Sequence, residues 1–231
     1  MLIGGLQKIS LIDYPEKVAA TVFTLGCNFS CPFCHNADLV EPEQIKKHPL
    51  ISEKYFFKFL KGKQGLLDGV CVTGGEPTAQ KDLEEFIAKI KALGFLVKLD
   101  TNGSRPQILR DLLKKNLVDY IAMDIKAPLQ KYPKVVRKDV RLGDIHESVS
   151  LGKEAPDYEF RTTVVPGLIE KDDILAIAQW LKGSRRYFLQ QFVPEKTVDS
   201  AFEKVDPYHI EKLRDFCQLA RPYFKKCDVR V

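Results

Sequence analysis

Gly26-Cys27-Asn28-Phe29-Ser30-Cys31-Pro32-Phe33-Cys34-His35-Asn36 sets three cysteines within eight residues, directly after the apolar run Val18–Leu25. The chain's other three cysteines, Cys71, Cys217 and Cys227, are scattered. Six cysteines in 231 residues are too few for a disulfide framework, and a chain of this length buries enough surface to need none. Crowded thiols then read first as metal ligands. A zinc site wants four ligands; here Cys34 and His35 would have to bind one ion as chain neighbours, and no distant second pair exists. Cys31-Pro32-Phe33-Cys34-His35 also spells a c-type haem attachment, but that leaves Cys27 unused and calls for export. Ordinary core cysteines do not explain such spacing on a polar loop. An iron–sulfur cluster is the best remaining account, because thiolates hold such clusters. Three cysteines leave one iron of a four-iron cubane without a protein ligand, and an open position suits chemistry, as it does in catalytic zinc sites.

Working outward, the strand candidates are Val18–Leu25, Gly69–Thr73, Phe95–Asp100, Tyr120–Ile125, Glu159–Val165 and Tyr187–Phe192. Their near-continuous apolar character suits a parallel sheet covered by helices. Between them, Leu83, Phe86, Ile87 and Ile90 mark one helix face, Ile108, Leu109, Leu112 and Leu113 a second, and Ile174, Leu175, Ile177, Ala178 and Leu181 a third. For the last helix, Asp206 reads as N-cap and Pro207 as its first residue, with Ile210, Leu213, Phe216 and Cys217 on the apolar face. Gln130–Lys153, with six Lys or Arg residues, reads as a long irregular connection containing a short helix. Six βα units without a linker predict one α/β domain over residues 18–231, preceded by an N-terminal extension, residues 1–17. Periodicity leaves an open doubly wound sheet and a barrel equally admissible. In both, ligand sites gather at the carboxyl ends of the strands.

Composition narrows the class. Apolar residues make up 45% and charged residues 29%, and the formal net charge is +5, as in ordinary globular proteins. No run approaches the roughly 18 apolar residues of a membrane span, and Met1–Lys8 lacks a signal-peptide pattern. The expectation is a cytoplasmic protein with no membrane partner. Lysines are not interleaved with aromatics in any stripe, so no nucleic acid is expected as a partner.

Cys-x3-Cys-x2-Cys, with Phe33 before the last cysteine, resembles the signature of the radical S-adenosylmethionine (SAM) superfamily. The resemblance implies a partial (β/α)6 barrel, TIM-like and mainly parallel. It also implies a [4Fe-4S] cluster held by Cys27, Cys31 and Cys34, whose remaining iron chelates SAM and whose reduced form cleaves SAM to a 5′-deoxyadenosyl radical. Later strand ends fit. Thr73-Gly74-Gly75-Glu76-Pro77 matches the superfamily's Gly-Gly-Glu motif, which implies that Gly74, Gly75 and Glu76 bind the SAM ammonium group; alone, such a turn is usually a plain strand-to-helix connection. Thr101 and Asn102 carry polar groups suited to ribose hydroxyls, although Asn-Gly is also an ordinary turn. Asp124 and Lys126 share one strand side and resemble the Asp-x-Lys of glycyl-radical activases, with a strand-end ion pair as the plain alternative. Arg161 resembles the arginine of those enzymes that pairs with the SAM carboxylate, a contact its planar fork suits. Gln190 or Gln191 is expected to face the site. Cys71 and Cys217 read as core thiols, and Cys227 as either surface or core. No catalytic side chain beyond the cluster ligands is expected.

Cys34-His35-Asn36-Ala37-Asp38 and the lead-in Gly5–Glu16 look most like the activating proteins of anaerobic ribonucleoside-triphosphate reductase, within the pyruvate formate-lyase activating enzyme group. That subgroup implies a glycyl-radical enzyme as protein substrate and a flavodoxin or ferredoxin as electron donor. Two other readings stand beside it. One is a radical SAM enzyme acting on a small molecule, similar to 7-carboxy-7-deazaguanine synthase; the other is a non-enzymatic iron–sulfur electron-transfer protein.

Overall fold

The computed structural model describes residues 1–231. Eight strands form one sheet in sequence order: β1 (Ile3–Ser10), β2 (Ala19–Thr24), β3 (Gly69–Gly74), β4 (Leu96–Thr101), β5 (Tyr120–Asp124), β6 (Asp157–Val164), β7 (Arg186–Gln191) and β8 (Lys226–Arg230). Only β1 runs antiparallel to its neighbour; β2 to β8 are parallel. The sheet does not close β8 onto β1, so it is a partial barrel. Six of these strands lie within two residues of the ranges read from the sequence.

The helices are α1 (Ala37–Val40), α2 (Pro42–Ile45), α3 (Glu53–Lys61), α4 (Leu83–Ala92), α5 (Pro106–Lys114), α6 (Tyr132–Val136), α7 (Leu142–Glu154), α8 (Lys171–Trp180) and α9 (Ile210–Ala220). They cover the outer face of the sheet. Strand alternation sends Val70, Val72, Val97, Leu99, Ile121 and Met123 into the main core with Phe86, Ile87, Leu109, Leu112 and Ile177 of the helices. Lys98, Asp100, Asp124, Glu159 and Arg161 share the other, inner parity.

The structure adds to one expectation and corrects two. Residues 1–17 hold a strand: β1 pairs with β2 from Ile3↔Thr24 to Ser10↔Ala19. The following turn brings Tyr14 under the barrel, 4% exposed, its ring edge-on to Tyr120 at 5.8 Å. Ala19 and Ala122 leave room for this floor, as does Gly69, where a Cβ would lie 3.0 Å from the Tyr14 ring. Second, Gln130–Lys153 is largely ordered as α6 and the 13-residue α7, with Arg137 in a left-handed conformation between them. Ile145 and Val149 supply the buried stripe of α7. Third, the last helix starts at Ile210, capped by His209 rather than Asp206. Asp206–Tyr208 stay extended because the Tyr208 carbonyl accepts from the Gln191 amide at 2.7 Å and its ring packs edge-on against Phe216 at 5.7 Å.

Candidate active site at the carboxyl ends of the strands

The loop after β2 carries the three cysteines and is held from four directions. Gly26 N–H donates to Leu39 O (2.7 Å) and Ser30 N–H to Val136 O (3.0 Å). A strap after β7 donates back, Val198 N–H to Cys34 O (3.1 Å) and Asp199 N–H to Pro32 O (2.9 Å). The Asn28 amide donates to the Ser104 hydroxyl (2.7 Å) and accepts from the Asn102 amide (3.0 Å). Cys31 and Phe33 are buried, while Cys27 and Cys34 are partly exposed.

The end of β3 is clasped to the same loop. Gly75 N–H donates to Thr24 O (2.9 Å) and Glu76 N–H to Gly26 O (2.8 Å). Both glycines are required by this approach. A Cβ on Gly75 would lie 2.0 Å from Gly26 O, and one on Gly74, where φ is +108°, 2.3 Å from Thr24 N. Glu76 is buried, and its Oε1 accepts from the Thr78 N–H and from the hydroxyls of Thr78 (2.5 Å) and Thr101 (2.7 Å). Oε2 accepts from Asn102 N–H (2.6 Å), so only Oε2 retains acceptor capacity. Burial raises the Glu76 pKa and these donors offset part of the rise. Thr101 and Asn102, expected at a ribose, are thus engaged with protein: they bind the β4 end to Glu76 and to the cysteine loop.

A chain of alternating charge crosses the inner face. Lys98 pairs with Asp100, Arg161 Nη1 with Asp100 Oδ2 (3.2 Å), Arg161 Nε with Asp124 Oδ1 (2.8 Å), and Lys126 Nζ with Asp124 Oδ2 (3.0 Å). Burial opposes ionisation of both aspartates, but Arg161 together with Lys98 or Lys126 outweighs it and holds their carboxyls below the usual range. Arg161 and Lys126 are correspondingly raised against their own burial. Behind this chain, Arg230 of β8 forks onto Glu159 (2.6 and 2.7 Å), which also accepts from Tyr120 Oη at 2.7 Å. Nε and Nη1 of Arg161 are used by the two aspartates, and the residue lines the cavity.

These groups surround one cavity of about 610 Å³. It brings together every residue singled out from the sequence: the three cysteines, Phe33, Gly74, Gly75, Glu76, Thr101, Asn102, Asp124, Lys126 and Arg161. Both Gln190 and Gln191 touch it, but Gln191 is tied to Tyr208, and Gln190 has the inner-face parity of Arg161 and Thr163. Sequence reading missed Asn28, Lys98, Glu159, Arg230 and the Val198–Asp199 strap. Lys98 and Glu159 carried a signal, a charged side chain within an apolar strand; Asn28 in the cysteine loop, Arg230 in a charged strand and the strap, which bonds through its backbone, carried none.

The cysteines fit a cluster better than a single ion. Burial pushes the thiols up, Cys27 to about 11 and Cys31 to about 12, with the Lys126 ammonium partly offsetting it, so they are protonated until a metal displaces the protons. No three ligating side chains anywhere converge closely enough to hold one metal ion, as zinc with sulfurs at about 2.3 Å would demand. Three thiols lining one cavity suit a polynuclear iron–sulfur group.

A cysteine triplet after the first parallel strand and a glycine clasp at the next describe a radical SAM core. The radical SAM superfamily profile matches residues 21–181, and the chain belongs to that superfamily. It is an enzyme whose cofactors are a [4Fe-4S] cluster and S-adenosylmethionine. Over 239 aligned residues it is 34% identical to a Methanocaldococcus jannaschii protein provisionally named a glycyl-radical enzyme activating enzyme, covering 100% of this chain and 96% of that protein. It is 25% identical to 7-carboxy-7-deazaguanine synthase of Thermococcus kodakarensis, covering 82% and 79% of the two chains. Among solved structures, Streptococcus suis SuiB bound to precursor peptide SuiA shares the fold, with a TM-score of 0.67 at 13% identity over 91% of this chain. This chain spans 48% of SuiB.

Proposed function

We propose that the enzyme installs a glycyl radical on a partner protein, the partner being an anaerobic ribonucleoside-triphosphate reductase. The whole-length likeness to the Methanocaldococcus protein supports glycyl-radical activation, and the choice of reductase rests on the resemblance carried by Cys34–Asp38 and Gly5–Glu16. When bound, the reduced cluster supplies the electron that cleaves SAM to methionine and a 5′-deoxyadenosyl radical able to take hydrogen from a glycine Cα. Cys27, Cys31 and Cys34 would hold that cluster, with the buried Phe33 lining the same cavity. The clasp of Gly74 and Gly75 fixes the end of β3 against the cysteine loop, and Glu76 Oε2 would keep an acceptor site for the SAM amino group. Arg161 offers its guanidinium to the SAM carboxylate, its plane fixed by Asp100 and Asp124. Lys126 lends positive charge beside the thiolates, and Thr101 and Asn102 shape the ribose edge through Glu76 and Asn28.

The protonation pattern supports hydrogen-atom chemistry. Asp100 and Asp124 are each paired with protein cations on both carboxyl oxygens, so neither is free to act as a general base. A flavodoxin or ferredoxin is the proposed electron donor, its acidic surface favoured by the net charge of +5. A small-molecule substrate is the second reading, supported by the Thermococcus relative and by Gln190 and Thr163, which offer unpaired polar groups deeper in the cavity.

The test is anaerobic. The reconstituted, reduced enzyme is given SAM and the reductase, and 5′-deoxyadenosine and the EPR spectrum are followed. A glycyl-radical doublet on the reductase, with deuterium passing from α-deuterated glycine into deoxyadenosine, is the expected result. Deoxyadenosine formation without a protein radical, for every glycyl-radical enzyme offered, would favour the small-molecule reading.

A further inference from the structure

Two cysteines away from the cavity lie against each other. Cys217 is on the buried face of α9 and Cys227 on β8, 3% and 5% exposed, with sulfurs 3.1 Å apart. That is closer than the roughly 3.5–4.0 Å of an ordinary non-bonded contact. They are joined by a turn through Pro222, and β8 is the edge of the sheet, paired on one side only. Neither thiol lines the cavity, so neither is drawn into the chemistry proposed above.

We propose that Cys217 and Cys227 are a redox-convertible pair that closes into a disulfide and fastens α9 to β8. The oxidant is a low-molecular-weight disulfide of the glutathione class, reaching the pair as the edge strand frays. Cys217 is the attacking sulfur: contact with Cys227, and Arg221 nearby, lower its pKa against burial, while that of Cys227 is raised. Its thiolate attacks one sulfur of the oxidant and expels the other as a thiolate. Cys227 then gives up its proton, attacks the Cys217 sulfur of the mixed disulfide and expels the second thiol. Two protein thiols are oxidised, one small disulfide is reduced to two thiols, and two electrons pass between them. The link would also anchor β8, whose Arg230 holds Glu159 behind Arg161.

Cluster-loaded enzyme is equilibrated anaerobically with oxidised glutathione, quenched with iodoacetamide, digested with trypsin and analysed by mass spectrometry. The expected product joins Asp215–Lys225 to Cys227–Arg230, two hydrogen atoms lighter than the sum of the peptides. Tm should rise by about 5 °C over dithiothreitol-treated enzyme, the scale set by closing a short loop, and should not rise in Cys217→Ser or Cys227→Ala. Separate alkylation or separate glutathionylation of the two thiols, even in urea sufficient to open β8, would overturn the pairing. A crosslink without a Tm gain would overturn the fastening role.

Discussion

One added methyl group at position 75 would sit 2.0 Å from the Gly26 carbonyl oxygen, so the clasp between the cysteine loop and the end of β3 has no tolerance there. Gly75→Ala is expected to lower stability by about 1–3 kcal/mol through overpacking, and to reduce iron bound after reconstitution to less than half of wild type. Urea titration and iron analysis check both. Cys31→Ala should abolish cluster binding and SAM cleavage while leaving the circular dichroism spectrum intact; retained cleavage would sink the ligand assignment. At Arg161 the fork matters more than the charge. Arg161→Lys keeps a cation between Asp100 and Asp124 but loses the planar fork, so the KM for SAM should rise about tenfold or more. An unchanged KM would remove Arg161 from the SAM site.

Among the elements, β2 to β7 were legible because they read as short, mainly apolar runs. The edges were not. β1 reads Ile-Gly-Gly-Leu-Gln-Lys-Ile-Ser, and its two glycines and polar residues weaken any strand pattern. β8 reads Lys-Cys-Asp-Val-Arg, a charged edge of the kind that discourages aggregation and hides the strand from a hydrophobic reading. In α7, glycines at 143 and 152 dilute a buried stripe that the structure nevertheless uses. The site fared better, because motif spacing located its loops; the partners of those loops, such as Asn28 for Asn102, depend on tertiary approach. Tyr14 shows how much structure the N-terminal stretch holds. Tyr14→Ala would leave a void beneath Tyr120, and a loss of about 3–5 kcal/mol is expected, as for other buried aromatic truncations. A loss under about 1 kcal/mol in urea unfolding would mean that the floor collapses without it.

At the scale of the whole molecule, the polar interior makes stability depend on pH. Asp100, Asp124 and Glu159 have carboxyls held below their usual range in the folded state, burial being outweighed by Arg161, Lys98, Lys126 and Arg230. Their contribution is complete above the unfolded carboxyl range of about 3.9–4.3 and is lost as pH falls towards the lower folded values. The urea midpoint should therefore hold from pH 7 to about 5 and fall steeply below it. Asp124→Asn should start lower at neutral pH and fall less; identical slopes would contradict the sign. The strap that reaches back from Val198 and Asp199 to Cys34 and Pro32 has a consequence for biogenesis. A nascent chain emerges amino end first, so the thiols leave the ribosome long before the segment that fixes their loop. Metal loading is then expected to wait for residues 198–199 to reach the cysteine loop. Chains arrested before Val198 should take up less iron than released chains, which leaves the finished but empty protein as the form that an iron–sulfur delivery system would meet.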